Sequence, residues 1–473
     1  MPAQLNNLNL PSGVSVSTSN AFSSLASTST STQASTDELE YTQHQLLSLR
    51  LIDLILERDE TGLIEKLVVE EKVECWISDE TQGWTSLHAA AYVGNVGLCK
   101  MLLRKGNAVW NLVDSLGCSA GDIAYSMNHD KVYKFLLEEG TRAEMLRAVL
   151  EDSQSQDRDQ DQSTSTDVED EETPIDVEGE SKPDQEPEPE QDLSMHSKPS
   201  TASSLHHYLS QPLTYTVDTS GQPICLDSEG NGVMMGWERG IMERTVEEML
   251  SRGWGDRKGK TRETLLSEEE GERSPLRVVN VGFGLGIIDT FFQAYSPTTH
   301  LIIEPHPSVL AHMEQTGWFS KPGVKVFRGT WQDWIAALES GDEEWVEWDG
   351  IYFDTYSEHY IDLRRFLSHT PNLLSSSSPS NLASVSFFHG LGATSRNFYD
   401  IYTLVSQLHL QEFGLKTEWS EVEVMEGRDG EEDVWEATKE RTEEEGGKGE
   451  KKKYWEWAKA VGRYRVPVCR LEY

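Results

Sequence analysis

From Asp37 the chain adopts a helical spacing of apolar positions, with Leu46, Leu47, Leu49, Leu51, Ile52, Leu54, Ile55 and Leu56 on one broad face. Further along the period changes. Short apolar runs, each followed by a glycine or an acid and then a helical stretch, occur at Leu276–Val281, His300–Ile303, Val324–Phe327 and Trp348–Phe353. Strand, turn and helix in alternation predict an α/β domain built on a parallel, doubly wound sheet. Lys416–Met425 and Arg463–Glu472 read as two more strands that can pair as a hairpin. Phe387-Phe388-His389-Gly390-Leu391-Gly392 reads as a strand entering a glycine turn, either a plain turn or part of a substrate channel.

Between the helical face and the strands lies a repeat. Gly83-Trp84-Thr85-Ser86-Leu87-His88-Ala89-Ala90, Val93-Gly94-Asn95 and Cys99-Lys100-Met101-Leu102-Leu103 form one copy. Ser119-Ala120-Gly121-Asp122-Ile123-Ala124 and Val132-Tyr133-Lys134-Phe135-Leu136-Leu137 form a degenerate second, and Gly83 and Gly117 are 34 residues apart (117 − 83). The motif and period resemble ankyrin repeats, so a small all-α region is expected over 37–150. Thr85 and His88 can bond the turn backbone, and the alanines let paired helices approach.

Composition separates these two regions. Residues 151–203 are rich in Asp, Glu, Gln, Ser and Pro and nearly devoid of aromatics, so they cannot bury enough apolar surface to offset chain entropy. They read as a disordered acidic linker, residues 1–36 as a disordered polar tail, and 427–451 as a flexible charged insertion within a domain spanning 204–473. The net charge of −40 argues against direct nucleic-acid binding, which needs clustered Lys and Arg, and suits a basic protein partner. Five scattered cysteines with no CxxC pair support neither a zinc site nor a disulfide framework, and no metal is expected. No apolar run reaches membrane-spanning length and no secretory leader is legible. A soluble protein of the cytoplasm and nucleus, monomeric by default, is the expectation.

The candidate chemistry lies at the strand ends. Gly282-Phe283-Gly284-Leu285-Gly286 follows the first strand, where glycines allow close backbone approach and the next helix offers unpaired N–H groups. Glu304 ends the second strand 22 positions later (304 − 282), where an acid can accept ribose hydroxyls. A dinucleotide fingerprint would want glycine at the sixth loop position, which is Ile287. The loop therefore favours S-adenosylmethionine (SAM), which carries no phosphate.

Four strings in order, Val233–Met242 (VMMGWERGIM), Val281–Gly284, Ile302–Glu304 and Asp349–Tyr356 (DGIYFDTY), resemble the guanidinoacetate methyltransferase family. Joined to the ankyrin-like region, they resemble the fungal protein arginine N-methyltransferase 2 family, which modifies the delta nitrogen of arginine. The resemblance covers about 40–150 and 210–473 and implies a Rossmann-like class I SAM methyltransferase domain. It places SAM along Phe283, Gly284, Leu285, Gly286, Ile287 and Ile288, the ribose on Glu304 with Pro305 and His306 beside it, and the adenine by Trp331 and Gln332. Met242, Asp354 and an N-terminal aromatic, Tyr215, complete the cofactor set, while Glu238 and Asp354 match two carboxylates that grip a guanidino group.

Physical chemistry supports such a pair on its own terms. A guanidinium has only donors and a pKa above about 12, so methylation requires a nitrogen that loses both conjugation and a proton. Two carboxylates in a dry pocket can fork-bond it, hold charge on the nitrogens that do not react and accept the proton. Asp354, at a strand end, is the better base and Glu238 the better clamp. The expected substrate is a protein presenting an arginine, a ribosomal protein among the candidates, with the ankyrin-like region as docking surface. Free guanidinoacetate is the alternative acceptor. The double-glutamate loop and Thr-His-Trp segment of the commoner arginine methyltransferases are absent, as is Asn-Pro-Pro-Tyr.

Overall fold

The structure, a computed structural model, describes residues 36–162, 204–217, 221–267, 275–356, 359–376, 382–393, 395–423 and 463–472. The tail over 1–35, the segment 163–203 and the insertion at 427–451 lie outside the described residues.

The first apolar face becomes helix α1 (Thr36–Leu56), followed by the short α2 (Leu63–Glu65) that runs into a π turn. The repeats form two helix pairs, α3 (Ser86–Val93) with α4 (Val96–Lys105) and α5 (Ala120–Ser126) with α6 (Asp130–Gln162). The polar residues of the motif tie these together. The Thr85 N–H donates to His88 Nδ1 at 3.1 Å, and the far side of the His88 ring meets the Cys118 carbonyl at 3.2 Å, so one side chain closes its own turn and links to the next repeat. Burial lowers the pKa of His88 and keeps it neutral for this role. Ala89, Ala90 and Ala91 are fully buried, which permits the close helix approach. In the degenerate copy Ser119 and Asp122 form a capping box on α5. Helix α6 continues past residue 150, where composition had placed the start of the linker, to Gln162.

After the linker come α7 (Leu205–Ser210) and a three-stranded antiparallel sheet of β1 (Thr214–Val217), β2 (Pro223–Leu226) and β3 (Gly232–Met235). Helices α8 (Arg239–Trp254) and α9 (Arg262–Ser267) lead to the main sheet. Its strands are β4 (Arg277–Val281), β5 (Thr299–Ile303), β6 (Val324–Phe327), β7 (Gly350–Phe353), β8 (Ser384–Phe387), β9 (Leu415–Glu423) and β10 (Arg463–Leu471), in the order β6-β5-β4-β7-β8-β10-β9. The first five run parallel, and β10 is antiparallel to both neighbours. The expected hairpin of the last two strands is present. The crossover helices are α10 (Ile287–Gln293), α11 (Pro307–Gln315), α12 (Trp331–Ser340), α13 (Tyr360–Leu373) and α14 (Arg396–Glu412).

Period-two alternation divides the sheet residues between two cores. Val278 and Tyr352 pack with α8 and α10, while Val279, Val281, Ile351 and Phe353 pack with α12 and α13. Chain order reverses between β4 and β7, so a crevice opens at the carboxyl ends of those strands.

The repeat region does not hang free on its linker. Helices α5 and α6 pack on α14: Trp110 meets Phe398 edge to face at 5.6 Å, and Tyr402 donates to Glu144 at 3.2 Å. Gly140 provides the close approach, because a Cβ there would fall 2.4 Å from Ile401. One face of the repeats is thus occupied by the second domain.

Candidate active site

A cavity of about 550 Å³ follows the carboxyl ends of β5, β4, β7 and β8. Gly282, Gly284, Glu304, Pro305 and Trp331 line it, as do Asp354, Thr355, Tyr356, Phe388 and Gly390–Ala393, with Asp354 directly beside the glycine loop. Leu205 and Tyr208 of α7, with Val233 and Met234 of β3, cover it.

The glycine loop is built for close approach. Gly282 has φ +91° and Gly284 φ +54°, and a Cβ on Gly282 would lie 2.0 Å from the Asp354 carbonyl oxygen. Gly286 caps α10 in the left-handed conformation. Beneath the loop, Asn280 donates to the Gly282 carbonyl and to Asp289, each at 2.8 Å, and Asp289 pairs with the buried His300 at 2.9 Å. Glu304 accepts the Phe283 N–H at 2.8 Å and the His306 N–H at 2.7 Å while facing the cavity. Burial outweighs these bonds and pushes its carboxyl up to about 7.

An adenosyl ligand fits this cavity. The glycines let the loop pack closely, Gly282 on the Asp354 carbonyl and Gly284 on Met234, while Glu304 presents an acceptor edge and the apolar wall suits a base. Of the cofactor residues expected from sequence, Gly284, Glu304, Pro305, Trp331 and Asp354 line the cavity. Phe283, Leu285, Gly286, Ile287 and Ile288 shape the loop from behind, Phe283 packing edge-on against Trp318 at 5.1 Å. Met242 is fully buried in the core beneath, with the Tyr352 hydroxyl 3.3 Å from its sulfur. Tyr215 stacks on His312 and donates to the Gly284 carbonyl at 3.4 Å, so it braces the loop. His306 caps α11 and meets the Tyr208 carbonyl at 3.1 Å, while Gln332 is exposed on α12.

Asp354 also faces the cavity, and desolvation pushes its carboxyl up to about 7. Glu238, on the short turn Gly236–Glu238 before α8, is only 3% exposed and is not among the lining residues. The Tyr464 hydroxyl of β10 lies in the field of both Asp354 and Glu238; burial first, then Tyr399 and these two acids, suppress its ionisation. It accepts the His389 N–H at 2.7 Å. Sequence reasoning passed over Tyr464 because an isolated tyrosine in an alternating strand carries no motif. It also passed over Tyr208, whose ring packs between His306 and Tyr356 at 4.7 and 4.9 Å. The glycine turn after β8 does line the cavity, as one of its two readings held.

Comparison with known proteins agrees with this geometry. Residues 54–146 match the profile described as Ankyrin repeats (3 copies). Residues 269–431 match the profile described as guanidinoacetate N-methyltransferase. Protein arginine N-methyltransferase 2 of Cryptococcus neoformans is 30% identical over 85% of this chain and 90% of its own length. The chain belongs to the protein arginine N-methyltransferase 2 family. Family members from Emericella nidulans (32% identity, 83% of this chain and 80% of that one) and Neurospora crassa (35%, 76% and 78%) show the same extent. Like the family, the chain is an enzyme of arginine methylation that uses SAM, in an α/β fold preceded by ankyrin repeats. The solved structure of M. jannaschii TYW2 in complex with AdoMet is 12% identical with a TM-score of 0.27 over 55% of this chain and 85% of that one, too loose a likeness to add to the assignment.

Proposed function

We propose that the acceptor is the delta nitrogen of an arginine in a protein substrate, with Asp354 as the base and Glu238 as the second carboxylate of a guanidinium clamp. The observation that carries this reading is that Asp354 faces the same cavity as the glycine loop and Glu304, with a second acid, Glu238, buried on the turn before α8. When bound, SAM supplies an electrophilic methyl group, and Gly284, Glu304, Pro305 and Trp331 are the residues that would hold it. Asp354 meets the guanidinium from the cavity wall, orients it by a charge-assisted bond and takes the proton as the new N–C bond forms. Glu238, buried on the turn before α8, adds a second negative charge. Tyr208 and the β1–β3 sheet exclude water, which strengthens both interactions. Asp354, by engaging a terminal nitrogen from the cavity wall, would leave the chain-bearing nitrogen free to react, which is the basis for the delta assignment.

A net charge of −40 suits a strongly basic protein, and ribosomal proteins are one such class. Guanidinoacetate remains the second reading because the matching catalytic profile carries that description. The decisive experiment incubates the full chain and labelled SAM with ribosomal proteins and, separately, with guanidinoacetate. Label confined to guanidinoacetate would sink the protein-substrate reading. Hydrolysis and mass fragmentation of labelled protein should place the methyl on the delta nitrogen, and label on a terminal nitrogen would overturn that assignment.

The raised carboxyls also predict a pH dependence. Only ionised Asp354 can hold a guanidinium cation or accept its proton, and its free-enzyme carboxyl titrates near 7 because burial disfavours the charge. The acceptor kcat/KM should therefore climb about tenfold per pH unit below 7 and level off above it. A flat profile between pH 5.5 and 8 would exclude Asp354 as the titrating group.

A further inference from the structure

Asp122 belongs to the second repeat, yet its carboxylate reaches into the methyltransferase domain. Oδ1 accepts the Asn397 backbone N–H at 2.9 Å, and Oδ2 accepts the Ser395 hydroxyl at 2.6 Å. Ser119 of the same capping box also receives the Asn397 side-chain amide at 3.2 Å. Gly121 makes room for this approach, since a Cβ there would fall 2.2 Å from the Asn397 side chain. The first turn of α14 thus has its unpaired N–H satisfied, and its positive dipole end neutralised, by a residue more than 270 positions upstream.

Ser395 is the N-cap of α14, and the turn before it, Gly390–Ala393, lines the cavity with Asp354. Two glycines give this turn little stiffness of its own. Gly392, at φ +69°, is packed so closely on the Phe398 backbone that a Cβ would fall 2.7 Å from it. The turn is therefore held from the α14 side, where Asp122 sits. A second tie lies higher on the helix: Tyr133 of α6 donates to Asp400, which also receives Arg465 at 2.6 Å, the neighbour of Tyr464 on β10.

We propose that Asp122 is a positioning residue for the arginine acceptor: by capping α14 from the ankyrin side it fixes the Gly390–Ala393 wall, so the repeats set acceptor binding without touching the substrate. This rests on reading Asp354 as the group that meets the arginine acceptor. The glycine loop and Glu304 follow β4 and β5 and share none of these bonds, so the two ligands should respond differently.

The test uses the full chain, an arginine-bearing acceptor protein and SAM. In Asp122→Ala the acceptor KM should rise about tenfold, the size expected for loss of a charge-assisted bond pair, while SAM affinity stays within about twofold. Asp122→Asn, which keeps an acceptor for the Asn397 N–H, should recover most of the loss. Asp79→Ala is the control. Asp79 accepts the N–H groups of Thr81, Gln82 and Trp84 in the first repeat, so its loss should lower the unfolding temperature and leave the acceptor KM alone. A wild-type KM in Asp122→Ala overturns the proposal. So does an equal rise in Asp79→Ala, which would reduce the effect to repeat stability, or a loss of SAM affinity in step with KM. If Asp122→Ala does not fold, Ser395→Ala removes the bond from the other side, and an unchanged KM there is equally fatal. A wild-type chain that methylates no arginine acceptor would instead overturn the acceptor reading, and this proposal with it.

Discussion

Asp354→Asn should lower arginine methylation by about 10³-fold while SAM binding changes only a few-fold. Asparagine preserves the shape at the end of β7 and leaves the backbone bond from the Asp354 N–H to the Val281 carbonyl (2.9 Å) untouched. What it removes is the charge that orients the guanidinium and the site that accepts its proton. The loss should fall mainly on kcat, because proton acceptance matters in the transition state, with a smaller rise in the acceptor KM from the lost charge pairing. Isothermal titration with SAM, alongside single-turnover methylation of an arginine acceptor, separates the two. Turnover within tenfold of wild type would remove Asp354 from the reaction. Loss of SAM affinity equal to the loss of turnover would reassign it to holding the cofactor.

Gly282→Ala should be equally severe at the other ligand. Its φ of +91° strains any side chain, and the new Cβ would lie 2.0 Å from the Asp354 carbonyl oxygen, which belongs to backbone and cannot swing aside. Strain of about 1–3 kcal/mol and overpacking of a similar size make roughly 2–6 kcal/mol together. Directed into opening the β4–β7 crevice, that corresponds to a loss of SAM affinity on the order of 10–10⁴-fold. Gly317→Ala isolates the two contributions, since Gly317 has φ +75° but nothing within 4 Å of its Cβ position. It should cost only the strain, read as a small drop in melting temperature with SAM affinity intact. Equal SAM affinity in Gly282→Ala and wild type would mean that the crevice tolerates widening and is not the cofactor cradle.

Much of this site was legible because its chemistry sits at strand ends, where a period-two apolar run stops at a glycine or an acid. Glu304 and Asp354 were visible for that reason, and the register of β4 with β5 and β7 brings them to one edge. Glu238 was legible only through its motif. Nothing in the sequence said that it would be buried, because burial of a turn residue depends on what later packs on it. Tyr464 and Asp122 were illegible for a related reason: each bonds partners distant in sequence, 75 and 275 residues away, and pairwise tertiary bonds leave no local period. The small β1–β3 sheet was missed because four-residue strands carry too little alternation to stand out.

The placement of β10 between β8 and β9 also has a temporal meaning. During synthesis β4 to β8 can associate as they emerge, giving the glycine loop, Glu304 and Asp354 their places. Tyr464 arrives only with β10, which must then enter between strands made earlier. The repeats, finished first, wait for α14. A ribosome-bound chain stalled before Arg463 should therefore hold a cofactor cradle without a finished acceptor site, and methylating competence should appear late and abruptly as the chain grows.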